Sequence, residues 1–512
     1  MKSRLLPLPA VLAALLALGH ALAYAALQGR YAIDDAYISF RYAQNLARGL
    51  GLVFNAGERV EGYTNFGWVM LLALASRLGL DLPLVSRLAN LLLAAGLVAF
   101  ALRFLAECPR RSRRPVLAMA LAGTALAADG VLARWAQDGM ETLLFTLLVF
   151  AGAALSAPVE PEEGAVVLPS PWRGALAFAL AALVRPEGAL LAAVALLWSF
   201  FAGVREDWRG AFRRAVVGGA VFAAVWLPWF LWRWRYYGAL LPNTFYAKVG
   251  TGGAQVLRGA HYLVYFFVGE RWPWLLLSLA CLLALPRPRL VPWQRLFLWI
   301  AAVDLLYVLL VGGDWMGAGR FLLPILPLLY LAAAEWTALA LKNLRWGGRL
   351  ALPAVLALLL AQLVLTSWRG EAQNVRRERS YLESRAAIGQ WLRQHAAPGD
   401  RLLTGEIGQL GWDSGLYTLD LFGLTDPRIA HLRVATMGRG KPGHEKFDLA
   451  YSLGQRPTWI TMPFIVPLWR TRPAAFPILA EYEPVTLPTP PPIPSYGAFL
   501  HRRAAGSYGI NP

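Results

Sequence analysis

Eleven apolar runs set the terms on which this chain can fold: 5–27, 84–106, 115–128, 142–157, 172–184, 188–203, 214–232, 271–286, 294–312, 320–342 and 349–367. A backbone surrounded by hydrocarbon must satisfy its own N–H and C=O groups, so runs of this kind are expected as membrane-crossing helices. Several are shorter than the roughly 20 residues a span needs and must borrow flanking residues or share a tilt. Composition agrees: 57% of the residues are apolar and only 16% charged, which excludes a disordered chain and an ordinary soluble one. The two cysteines, Cys108 and Cys281, stand far apart and one lies inside an apolar run, so there is no basis for a structural disulfide. No internal repeat is visible.

The net charge of +18 would point to nucleic acid in a soluble protein. Here the cations cluster between particular pairs of runs: Lys2 and Arg4; Arg110, Arg111, Arg113 and Arg114; Arg205, Arg209, Arg213 and Arg214; Arg287, Arg289 and Arg295; Lys342, Arg345 and Arg349. With each cluster on the cytoplasmic side, the runs alternate correctly as eleven spans, with the N-terminus in and the C-terminus out. The segment 67–80, GWVMLLALASRLGL, breaks the alternation if it crosses, so it is read as a helix lying along or dipping into the outer leaflet. The acidic stretch 158–171 (Glu160, Glu162, Glu163) is accepted as cytoplasmic because acids weigh little in the rule. The first run is read as a span and not as a cleaved leader.

The expected fold class is therefore an α-helical polytopic membrane protein with a small extracytoplasmic α/β domain. Residues 1–369 form the membrane domain, with an outer loop at 28–83, and residues 370–512 form the outer domain. In the latter, 371–395 has helical periodicity. Strand-like LLTGEIGQLGW and LYTLDLFGL follow, then a helix before RPTWITM and an extended, proline-rich stretch over 484–494.

Polar chemistry gathers at one face. The loop 28–66, Asp138 and Glu141 in WAQDGMET, Arg185 and Glu187 in VRPEG, Asn243 and Lys248 in PNTFYAK, and Asp314 and Arg320 in GGDWMGAGR all fall on the outer side. Charges at membrane helix ends are costly unless paired or wet, which makes them functional candidates. The adjacent acids Asp34 and Asp35 suit a general base beside a metal or a second carboxylate. Their plain reading is capping of the helix that begins near Ala36. That helix carries Tyr37, Phe40, Arg41 and Asn45 at helical spacing, as an amphipathic surface helix would. Arg185–Glu187 and Asp314–Arg320 can equally be local ion pairs, but the glycines at 312, 313, 317 and 319 imply a close backbone approach. His431 and His444 lack metal-ligand spacing. No Walker loop, GxGxxG opening a helix, HExxH or GxSxG is present, which leaves nucleotide-driven transport and serine hydrolysis without a basis.

Taken in order, the motifs DDAYISFRYAQNLARGLGLVFNAGERVEGYTNFGW (34–68), GMET (139–142), RPEG (185–188), PNTFYAK (242–248), GGDWMGAGRFLLPILP (312–327), GEIGQLGW, DLFGLTDP (420–427) and GHEK (443–446) resemble bacterial GT-C glycosyltransferases. Within them the likeness is to the terminal β-1,2-arabinofuranosyltransferases of mycolate-bearing bacteria. The resemblance implies a GT-C fold in the bacterial inner membrane with its site facing outward. It implies a polyprenyl-phosphate sugar donor, a glycan, lipid or protein acceptor, and an inverting transfer. It also implies that Asp34 is the base and Asp35 its neighbour.

Such a donor already carries its leaving group, so the departing phosphate needs cations, for which Arg185, Lys248 and Arg320 are the candidates. Tyr37, Arg41, Tyr63, Asn65, Glu141, Glu187, Asn243, Asp314, Trp315 and His444 are candidates for holding sugar or substrate. Trp68, Asp138, Glu406 and Asp426 stand behind them. Asp34, Asp35 and Asp314 offer hard oxygen ligands to Mg²⁺ or Ca²⁺, but arginines would neutralise a phosphate equally well, so a cation stays open. The competing reading is a lipid-linked sugar flippase, which predicts charge at mid-membrane and internal symmetry. The mid-span charges, Arg87, Asp304 and Glu335, are few beside those of the outer face.

Overall fold

The apolar runs become helices wherever the structure, a computed structural model, describes them. It describes residues 8–106, 115–158, 168–250, 252–272, 290–343, 372–461, 477–487 and 496–502, with a few isolated positions besides. In chain order the helices are α1 (Leu8–Gln28), α2 (Asp34–Ala47), α3 (Phe66–Arg77), α4 (Leu82–Ala106), α5 (Pro115–Ala128), α6 (Gly130–Trp135), α7 (Thr142–Ser156), α8 (Pro171–Val184), α9 (Glu187–Gly203), α10 (Trp208–Tyr237), α11 (Asn243–Lys248), α12 (Gly253–Val264), α13 (Pro292–Val311) and α14 (Leu326–Asn343). A 3₁₀ turn at Arg320–Ile325 leads directly into α14.

Nine of the eleven expected runs fall on these helices. The runs 271–286 and 349–367 lie almost wholly outside the described residues. So do Cys108, Cys281, most of 158–171, the cations at 2, 4, 110–114, 287, 289, 345 and 349, and 488–494 of the proline-rich stretch. Five helical stretches among the described residues are long and apolar enough to cross a bilayer: Ala10–Gln28, Leu82–Ala106, Trp208–Tyr237, Pro292–Val311 and Arg320–Leu341. Helices α5, α7, α8 and α9 are apolar but shorter. The chain is a multi-pass membrane protein. Helix α10 turns Phe212, Val216, Leu227, Leu231 and Trp234 outward, a surface that suits lipid and not water.

Helix ends follow local chemistry. The Asp129 side chain accepts the Val131 N–H at 2.8 Å to start α6, and Asp207 accepts the Gly210 N–H at 2.9 Å to start α10. Inside the bundle an aromatic knot joins α4, α7 and α13: Phe104 stacks on Phe297 at 5.4 Å, and Trp293 meets both edge-on at 5.5 and 5.1 Å. Phe150 adds a fourth ring 6.0 Å from Phe297.

The C-terminal part is a small sheet domain. After α15 (Ala372–His395) come β1 (Arg401–Thr404), α16 (Gln409–Ser414), β2 (Tyr417–Asp420), β3 (Trp459–Thr461), β4 (Tyr482–Leu487) and β5 (Tyr496–His501). The sheet order is β2-β1-β3-β5-β4. β1 runs parallel to β2 and β3, and β5 runs antiparallel to β3 and β4. Alternation sends Leu402, Trp459, Val485 and Leu500 to one face, under Ile388 and Leu392 of α15, and Leu403, Ile460 and Phe499 to the other. The strand expected over LLTGEIGQLGW stops at Thr404, because the chain turns through Gly405–Gly408 and resumes as α16. Pro484 sits within β4.

This domain and the first loop are sewn together by Arg41, whose donors reach Phe54 O (2.8 Å), Gly411 O (2.6 Å), Thr418 Oγ1 (3.0 Å), Asn55 Oδ1 (3.0 Å) and Leu416 O (2.7 Å). Asn55 adds both halves of a backbone-like pair to Thr418. On the membrane side, Arg233 of α10 forks onto Glu61 of the loop, both fully buried, with Nη1 on Leu240 O at 2.7 Å.

Candidate active site

Two connected cavities meet beneath the start of α2. The inner one, of about 350 Å³, lies among the ends of the membrane helices and is walled by Tyr63, Asn65, Glu141, Arg185, Glu187, Tyr307, Asp314 and Arg320. The outer one, of about 110 Å³, lies against the sheet domain and is walled by Asp34, Arg385, Glu406, Phe422, Lys441 and His444. Asp35, Ile38, Lys248, Trp315, Leu424 and Pro442 belong to both, so they form the passage between the two. Among the described residues neither Asp35 nor Lys248 has an ion-pair partner.

The inner cavity is polar at its head and apolar toward Leu190, Leu241, Phe245 and Val311. Its two arginines are already matched. Arg185 donates from Nε to Glu187 (2.5 Å) and from Nη1 to Glu141 (3.3 Å), and its guanidinium lies 4.8 Å over the Phe321 ring. Arg320 grips Asp314 bidentately at 2.6 and 3.0 Å. Glu141 is held in turn by Asn65 Nδ2 at 2.8 Å, which also reaches Ser39. The glycine-rich turn before Arg320 does approach something closely: Gly313 has φ 71°, and a Cβ there would meet the Tyr262 ring at 2.7 Å.

In the outer cavity Asp34 Oδ1 accepts the Gln409 N–H at 2.9 Å and lies 3.7 Å from Arg385 Nη1. Burial pushes the Asp34 carboxyl up to about 6, against the opposing pull of Arg385. Burial, with the Lys441 charge, lowers the pKa of the His444 imidazole, whose Nδ1 lies 3.1 Å from Pro442 O. Lys441 Nζ sits 4.0 Å over the Trp315 ring, and burial lowers its pKa.

Of the residues picked from sequence, Asp34, Asp35, Tyr63, Asn65, Glu141, Arg185, Glu187, Lys248, Asp314, Trp315, Arg320, Glu406 and His444 are brought to these two cavities. Four are not. Tyr37 packs against Phe40 and Trp412, and Arg41 is spent on the domain seam. Asn243 donates to the Gly423 and Leu424 carbonyls, and Trp68 donates to Gly139 O. Asp426 caps a short helix through the Ile429 N–H at 3.1 Å, and Asp138 is buried near Arg134. Arg385, Lys441 and Phe422 were missed. Lys441 stood in the conspicuous GRGKPGHEK, whereas Arg385 is one of several arginines on an unremarkable polar helix.

Among the described residues no three His, Cys, Asp or Glu side chains gather as a metal site. Asp314 is tied to Arg320, and Asp34 to Gln409 and Arg385, so the three acids considered for Mg²⁺ or Ca²⁺ do not form a cage.

Residues 371–503 match a family model described as a domain of unknown function (DUF8728). The terminal beta-(1->2)-arabinofuranosyltransferase of Mycobacterium tuberculosis is 31% identical over 237 residues, 44% of this chain and 36% of the relative. That of Corynebacterium glutamicum is 30% identical over 334 residues, 58% of this chain and 46% of the relative. The chain thus spans less than half the length of the curated relatives it matches. The crystal structure of ArnT from Cupriavidus metallidurans bound to undecaprenyl phosphate superposes with a TM-score of 0.58 at 14% identity, covering 96% of this chain and 97% of that one. The apo form of the same protein gives 0.60 at 15%, with the same coverage. The chain thus shares the fold of these ArnT structures, and over part of their length it is similar in sequence to the terminal arabinofuranosyltransferases.

Proposed function

We propose that this protein is a membrane glycosyltransferase. It moves a sugar, arabinofuranose by analogy with its relatives, from a polyprenyl phosphate to a glycan, lipid or protein hydroxyl on the outer face of the bacterial inner membrane. In this reading the eleven runs cross the membrane with the N-terminus in and the C-terminus out, and residues 370–512 form a separate outer domain. The observation that carries the function is the pair of cavities sharing a wall at Asp35, Lys248 and Trp315. An inner chamber with cations at its head and apolar walls behind suits a lipid phosphate. An outer chamber with mixed charge and rings suits a sugar's hydroxyls.

The steps follow from that layout. The acceptor oxygen attacks the anomeric carbon while the bond from that carbon to the phosphate oxygen breaks, and the electron pair leaves with the polyprenyl phosphate. Asp34, facing the acceptor, takes the hydroxyl proton as the new bond forms. The leaving phosphate gains charge, which cations in a water-poor site stabilise strongly. A single displacement of this kind inverts the anomeric centre, and comparing the configurations of donor and product reads that directly.

Lys248 is the cation best suited to the phosphate, since Arg185 and Arg320 already answer to carboxylates. Lys248→Ala is expected to raise the donor KM about 10–100-fold, as loss of a charge-assisted contact does, with the acceptor KM within about threefold of wild type. An unchanged donor KM in steady-state kinetics would remove Lys248 from that role.

The function itself is tested with purified protein in detergent, offered radiolabelled polyprenyl-phosphate arabinofuranose beside other polyprenyl-phosphate sugars, with and without EDTA. Label passing to an acceptor supports the reading, and the preferred donor names the sugar. Tight donor binding without transfer from any donor would favour a flippase instead.

A further inference from the structure

The sheet domain touches the proposed base at three points. Arg385 of α15 forks onto Glu406 through Nε (2.9 Å) and Nη2 (2.5 Å), which leaves Nη1 3.7 Å from Asp34 Oδ1. The same oxygen accepts the Gln409 N–H at the start of α16. Between these contacts Gly408 is pressed against α2 so tightly that a Cβ would lie 1.9 Å from the Asp34 carbonyl oxygen. Asp34 Oδ1 is thereby fixed by the outer domain, and Oδ2 makes no hydrogen bond among the described residues. Oδ2 is then the oxygen left for an acceptor's proton.

Building on the transferase reading, we propose that Arg385 is a positioning residue that clamps Asp34 in the outer chamber, so that the active site is complete only with the sheet domain docked. Glu406 holds the guanidinium in a planar fork, a geometry that lysine cannot reproduce. The clamp also has an electrostatic signature. Asp34 faces Arg385 from α15, Glu406 and Lys441 from the outer-domain turns, Asp413 from α16, and Asp35 and Tyr37 from its own helix. Arg385 lowers the Asp34 pKa and Glu406 raises it, against the dominant upward push of burial. Removing the Arg385 charge makes Asp34 hold its proton to higher pH, and removing the Glu406 charge does the reverse.

The test is the pH dependence of kcat for the full-length protein with saturating polyprenyl-phosphate sugar, comparing wild type, Arg385→Gln, Arg385→Lys and Glu406→Gln. Arg385→Gln is expected to lose about 10–100-fold in kcat at pH 6.5, the scale of a misplaced catalytic group, with the donor KM within about twofold. Its acid limb moves up, Arg385→Lys recovers part of both effects, and the acid limb of Glu406→Gln moves down. A merely structural role would not move the two limbs in opposite directions. Unmoved limbs and unchanged kcat in Arg385→Gln and Glu406→Gln, beside an inactive Asp34→Asn, overturn the clamp and leave the transferase reading standing. An active Asp34→Asn overturns the base assignment on which the clamp rests.

Discussion

Asp34→Asn is expected to cut kcat for sugar transfer by about 10²–10⁴-fold, the range that a positioned general base supplies. Asparagine has nearly the same shape and keeps an oxygen for the Gln409 N–H, so the α2–α16 contact survives. What it lacks is a site that can take a proton. The wild-type rate should rise with pH through about 6, because burial holds the Asp34 carboxyl there and only the ionised form is a base. Above that pH the rate should level off, and in the variant the limb should vanish. Donor binding, which depends on the inner chamber, should change little. Turnover close to wild type, or an acid limb still near 6 in the variant, would remove Asp34 as the base and turn attention to Asp35 at the passage.

A second large effect is expected in stability. Arg41→Met should loosen the sheet domain from the first loop, since five hydrogen bonds are lost at once, three of them to Gly411, Leu416 and Thr418 of that domain. Burial lowers the Arg41 pKa to about 10, so the guanidinium is still charged at neutral pH, and its bonds are of the stronger, charge-assisted kind. Each such bond contributes about 1.5–3 kcal/mol, although the three carbonyls each keep a second donor, from Asn45, Gly415 and Thr418. A loss of more than about 3 kcal/mol is expected, read as a large drop in Tm in detergent and as faster proteolytic release of the C-terminal domain. Unaltered melting and an uncleaved outer domain would show that the seam is held by its other contacts.

Arg41 also shows what the sequence could and could not reveal. Its place on an amphipathic helix beside two acids suggested a ligand, because local spacing says nothing about acceptors 370 residues away in the chain. The helices of the membrane domain were legible because a 3.6-residue period and an apolar run are local properties. So was the grouping of Asp35, Glu141, Arg185, Lys248 and Arg320, since charges at helix ends on one side of a membrane have few places to meet. The Arg385 clamp was not legible. It depends on how the sheet domain packs against the start of α2, through Arg385 and Gln409, which no periodicity encodes. Likewise Gly408 looks like any turn glycine until the Asp34 carbonyl is seen against it.

The wall shared by the two chambers bears on kinetic order. If the proposed lipid donor and acceptor occupy separate chambers, neither must vacate for the other to arrive, and both are present when the bond changes hands. That is a sequential mechanism, in which a spent lipid carrier can diffuse back into the bilayer while the lengthened acceptor stays where it is. On the transferase reading proposed above, the protein would work as a docking station that exchanges its fuel from the side, its pace following the traffic of carriers in the membrane.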